Sequence, residues 1–85
     1  GLAQVRQRVD SVLKGLRESY KDETVVLVSH KVVCKVMALF FLGLDNSRFW
    51  QVEQDLCAIN IFSVAEDRSF VMRMNDTCHL RDLGA

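Results

Sequence analysis

Five consecutive strand-forming residues, Thr24-Val25-Val26-Leu27-Val28, run into Ser29-His30-Lys31 and then into an apolar stretch from Val32 to Leu42 that stops at Gly43. An apolar run that is continuous rather than alternating predicts a strand covered on both faces, as in the middle of an α/β sheet. The stretch after it is apolar almost all round. Glycine at its end suits the left-handed position that closes a helix. The sequence therefore predicts strand, tight turn, buried helix. Ligands of α/β sheets collect where strands end, and the first N–H groups of the following helix point outward unpaired, which favours an anion. A histidine at that junction can face a phosphate: protonated His30 donates charge-assisted hydrogen bonds, and Lys31 and Lys35 add positive charge unless Lys35 lies on the buried side. The plainer alternative is a histidine that is merely capped or solvated at a turn.

The remaining elements follow from periodicity. Leu2, Val5, Val9, Val12, Leu13 and Leu16 recur at steps of three and four, predicting an amphipathic helix that ends near Tyr20. Asp45, Asn46 or Ser47 can cap a short helix carrying Phe49, Trp50 and Val52. Strand-like runs at Cys57–Val64 and Phe70–Met74, joined through Glu66-Asp67-Arg68-Ser69, predict a β-hairpin without the usual glycine. Asn75, Asp76 and His79 are expected to form a turn whose side chains bond local backbone groups. Gln54 and Asn60 are expected to satisfy backbone near the start of the strand, and Phe49 and Trp50 to pack.

Size and charge narrow the possible functions. The chain's 85 residues make one small domain at most, and 49% hydrophobic residues with no proline exclude disorder and collagen. Eleven basic and eleven acidic side chains cancel, so the positive field that binds nucleic-acid phosphates is absent and no nucleic-acid partner is expected. The longest apolar stretch falls short of the roughly 20 residues that cross a bilayer, and no membrane partner is expected. Cys34, Cys57 and Cys78 are odd in number and include no CxxC pair, which predicts reduced, mostly buried thiols in an intracellular protein. With His30 and His79 they match no zinc-ligand spacing, so no metal and no cofactor are expected. Gly1, without a methionine or a signal segment before it, looks like a boundary, a processed end or the scar of a tag.

Several segments together resemble a known family. They are Thr24-Val25-Val26-Leu27-Val28-Ser29-His30, Leu39-Phe40-Phe41-Leu42-Gly43-Leu44, the Phe49-Trp50 pair, Gln54-Asp55-x-Cys57-Ala58-Ile59-Asn60 and Asn75-Asp76-Thr77-Cys78-His79-Leu80. In this order, across Leu2 to Leu80, they resemble the C-terminal half of the histidine phosphatase superfamily, nearest its phosphoglycerate mutase-like phosphatases. The resemblance implies an α/β three-layer fold, represented here by helix, strand, helix, short helix and β-hairpin in a single partial domain. It also implies phosphoryl transfer through a phosphohistidine, on a small phosphorylated substrate.

The same resemblance assigns roles by residue. His30 matches the family's second histidine, which stabilises the transferring phosphoryl group and is catalytic without being the nucleophile. Ser29 and Lys31 become the substrate-binding neighbours, although Lys31 and Val32 stand where the family usually has glycines. Lys35 stands where the family often has arginine and lacks its bidentate fork. The Arg-His-Gly nucleophile motif is not in this sequence, and the family's acidic proton donor would precede Leu2. The expectation is a chain inactive by itself, completed by an N-terminal half of the same domain. The alternative is a non-catalytic fragment or subdomain that self-associates. Without the strand carrying Arg-His-Gly, the Thr24–Val28 and Cys57–Val64 strands are expected either to close on each other or to drive a homodimer. A cytoplasmic location accompanies this set of expectations.

Overall fold

The computed structural model describes residues 1–83. Helix α1 spans Leu2–Ser19, as its heptad-like pattern predicts, and buries Val9 and Leu13. Helix α2 spans Lys31–Leu42 and buries Val36, Ala38 and Leu39. Gly43 ends it with φ 69° and ψ 30°, and the Leu44 N–H returns to the Leu39 carbonyl at 2.9 Å. That left-handed closure is the one the glycine predicts. Asp45 caps a short 3-10 helix, Asn46–Gln51, by accepting the Ser47 N–H at 2.9 Å and the Ser47 hydroxyl.

Strands β1 (Ile59–Val64) and β2 (Ser69–Asp76) form an antiparallel hairpin, followed by a second 3-10 helix, Cys78–Leu83. The register, from Val64 opposite Ser69 to Ile59 opposite Asp76, slips twice, each time by an extra residue on β2. These are β-bulges, which bend a strand and re-aim its side chains. Helix α2 packs against α1, against the first 3-10 helix and against β2. One apolar cluster joins Ala38, Leu39, Phe49 and Val52 to Phe62 and Met74; another joins Val9, Leu13 and Val36 to Met37, Phe40 and Phe41. Leu2 touches both. The result mixes helix and strand, consistent with the α/β expectation.

Three expectations are corrected. Thr24–Val28 joins no hydrogen-bonded ladder, and β1 pairs only with β2 among the described residues, so the two strands do not close on each other. Nor is this segment covered on both faces: exposure alternates from 43% at Val25 to 81% at Val26, 45% at Leu27 and 94% at Val28. The exposure alternates by two, as side chains do along extended backbone, but every residue of the segment is exposed. The physical reason is that a strand needs a neighbour for its N–H and C=O groups, and none of the described residues supplies one there. The thiols are also less buried than expected, since Cys34 is half-buried while Cys57 and Cys78 are exposed. Cys57 lies before the strand, in a turn with φ 60°, and β1 begins two residues later.

Candidate functional site

His30 is the residue immediately before α2, with extended backbone (φ −93°, ψ 164°) and an exposed side chain. Its carbonyl accepts the Cys34 N–H at 2.9 Å, but its imidazole does not cap the helix. The N–H groups of Lys31, Val32 and Val33 have no acceptor among the described residues. The junction thus combines unpaired donors, a free imidazole and the positive end of a helix dipole, an arrangement that attracts an anion.

Ser29 and Lys31 face different hollows. Ser29 borders a largely apolar one with Val9, Leu13, Leu27, Val28 and Met37 between α1 and α2. Lys31 lines a groove of about 460 Å³ whose other walls are Asp55 and Leu56, from the loop before β1, Thr77, the residue after β2, and Leu80, in the second 3-10 helix. Lys31 is therefore the neighbour of His30 that opens onto a groove of mixed lining, with Asp55 and Thr77 beside Leu56 and Leu80. Lys35 takes the buried alternative: it is 8% exposed, with its Nζ 4.3 Å from the centre of the Phe49 ring and 5.3 Å from that of Trp50. A cation over an aromatic pair stabilises the packing of α2 on the 3-10 helix and leaves no charge for the junction. Of the aromatic pair, Phe49 is core and Trp50 lies open, stacked on it at 5.2 Å.

The groove's far wall is held by a relay of amides that the sequence only partly indicates. Gln54, 2% exposed, exchanges two hydrogen bonds with Asn60, at 2.7 and 2.8 Å. The Asn60 Oδ1 also accepts the Asn75 N–H at 2.9 Å. Asn75 reaches across to the loop, where its Oδ1 accepts the Asp55 N–H at 2.7 Å and its Nδ2 donates to the Asp55 carboxylate at 3.3 Å. The expected local turn is found at Asp76, whose Oδ1 accepts the Cys78 N–H at 2.9 Å, but the Asn75 side chain bonds a residue 20 positions earlier. Asn75 has φ 54°, a left-handed value that asparagine tolerates, and it sits in the bulged end of β2. Of the groove residues, Asp55, Thr77 and Leu80 lie in segments that carry the family resemblance but receive no role from the sequence, and Leu56 is not named at all. The cues are the Gln54-Asp55 segment and the strand-ending Asn75-Asp76-Thr77, and neither says that the second grips the loop of the first.

Other chemistry is limited. Burial pushes the Cys34 thiol up, away from the thiolate a nucleophile needs. Among the described residues no three His, Cys, Asp or Glu side chains come together as a metal site, and no helix is long and apolar enough to cross a membrane.

Two comparisons bear on this geometry. A family model described as the histidine phosphatase superfamily (branch 1) matches residues 1–77. Phosphoserine phosphatase 1 of Hydrogenobacter thermophilus is 37% identical over 79 residues, which are 93% of this chain and 37% of that protein. The chain thus spans little more than a third of the length of that relative.

Proposed function

The chain belongs to the histidine phosphatase superfamily, and from that premise we propose that it carries one side of a phosphomonoesterase site, with His30 and the opening N–H groups of α2 as the phosphate seat. The observation that supports this most is the junction itself, where an uncapped imidazole stands beside unpaired helix-start donors. Lys31 adds positive charge at the mouth of the groove, and Ser29 precedes the seat without sharing that groove.

The reaction divides between two halves of one domain. A histidine of an Arg-His-Gly motif, which this sequence does not contain, attacks phosphorus while the ester P–O bond breaks, and the departing alcohol takes its proton from an acid outside this chain. Water then attacks the phosphohistidine and releases inorganic phosphate. His30 holds the equatorial oxygens on which charge accumulates in both steps. Small phosphomonoesters are the substrates, and the phosphoserine activity in the relative's name makes O-phosphoserine the first ester to assay. The open face of Thr24–Val28 is the docking edge for the complementary half or, when that half is missing, for a second copy of the chain.

Titration of the labelled chain with inorganic phosphate, followed by NMR, tests the seat. The His30 and Lys31 signals are expected to move at millimolar phosphate, with weak affinity because no arginine joins them. Unmoved His30 and Lys31 signals would overturn the assignment.

A further inference from the structure

Asp55 is the feature of the groove that a phosphate seat does not explain. A carboxylate in the groove that Lys31 also lines raises the cost of binding a phosphate dianion through like-charge repulsion, yet Asp55 is tied to Asn75 twice, its N–H donating to the Asn75 Oδ1 and its carboxylate accepting from the Asn75 Nδ2. Asn75 is in turn tied through Asn60 to the buried Gln54. Among the described residues, two of the three non-glycine positions with positive φ fall here, Asn75 within the relay and Cys57 between Asp55 and Asn60. A buried Gln54, two half-buried asparagines and a left-handed Asn75 that together fix an exposed acid mark a functional position, because such conformations persist only where the surroundings enforce them.

Asp55 also lacks a cation. It shares the groove with Lys31, yet the two form no ion pair, and no Lys or Arg among the described residues pairs with Asp55. Lys31 directly follows His30 and stands with the phosphate seat, whereas Asp55 comes from the separate loop before β1. A groove of about 460 Å³ falls within the range that holds a small ligand. Leu56 and Leu80 line it with apolar surface suited to a short carbon chain.

From this arrangement we infer that Asp55 determines specificity on the leaving-group side of the site, selecting phosphomonoesters whose alcohol carries an ammonium group, with Asn75 as its positioning residue. The inference rests on the phosphate seat at His30. A charge-assisted contact of this kind, partly open to water, is worth a roughly three- to tenfold preference over the same ester without the charge.

The test is NMR titration of the 85-residue chain with O-phosphoethanolamine and, in parallel, with ethyl phosphate, which has the same phosphate and no ammonium. O-phosphoethanolamine is expected to bind about three- to tenfold more tightly and to move the Asp55, Leu56 and Thr77 signals, which ethyl phosphate leaves in place. Asp55→Asn, nearly isosteric, is expected to erase the preference, and Asn75→Ala to reduce it. Equal affinity of the two esters overturns the inference while movement of His30 keeps the phosphate seat; a preference that survives in Asp55→Asn overturns it as well. If neither ester moves His30 or Lys31, the seat fails and the inference fails with it. Should Asp55→Asn not fold, the two esters compared on the unaltered chain still decide.

Discussion

Two carboxylates couple local geometry to solution behaviour. Asp45 is held below the usual carboxylate range first by the Ser47 hydroxyl and then by the Ser47 N–H, and Asp76 first by the Cys78 N–H, with Arg73 assisting. A carboxyl whose pKa is lower folded than unfolded contributes stability that is fully present above its unfolded pKa and disappears as pH falls through the folded value. The urea midpoint is therefore expected to be flat above about pH 5 and to fall below about pH 4. The Asp45→Asn, Asp76→Asn double variant should fall less steeply over that window. Parallel curves for the two proteins would contradict this account. The same residues show how far side-chain roles are legible. Asp45 and Asp76 cap N–H groups two residues away, a bond that short spacing announces. Asn75 bonds Asp55, and Asn60 bonds Gln54, across gaps that only the folded chain closes. Lys35 was ambiguous because its place on an apolar helix permits either orientation, and its partners Phe49 and Trp50 come from a different element.

Helices were readable because each is specified within its own sequence. The apolar repeat gives α1, and the apolar run closed by Gly43 gives α2. A Cβ added at Gly43 would meet nothing within 4 Å, so the cost of Gly43→Ala is purely that of the left-handed backbone, about 1 kcal/mol. Chemical denaturation should show this loss with an unchanged denaturant slope, and an unaffected midpoint would mean that the helix closes by another route. The hairpin is legible in place but not in register, since one of its two bulges falls where the Asn60 side chain, rather than a strand carbonyl, accepts the Asn75 N–H. Thr24–Val28 was legible as a β-forming segment, yet strand structure requires a partner and none of the described residues supplies one. The candidate site divides in the same way. His30 and Lys31 follow from a strand-to-helix junction, whereas the opposite wall at Asp55 and Thr77 is assembled from segments about 20 residues apart.

At the scale of the whole molecule, surface is in excess. A compact monomer of 9.7 kDa exposes about 5,100 Å², and this chain exposes 6537 Å² in a slab measuring 39 × 32 × 18 Å. Val26, Val28, Leu56 and Trp50 are each more than three-quarters exposed. Apolar surface on that scale, with an unpaired edge at Thr24–Val28, favours association. Sedimentation at micromolar concentration should give about twice the mass of one chain, and Val26→Lys with Val28→Lys should shift it toward one. A wild-type monomer would show that the open strand is tolerated. The central claim, that this chain holds the second-histidine side of a phosphoryl-transfer site and needs the other side for chemistry, is tested most directly by turnover of p-nitrophenyl phosphate. The 85-residue chain alone should show none. Joined to an N-terminal half bearing Arg-His-Gly it should turn over, and His30→Ala in that longer protein should lower kcat by about 10²- to 10³-fold. Turnover by the 85-residue chain that persists through repurification and vanishes in His30→Ala would contradict the account and make His30 itself the nucleophile.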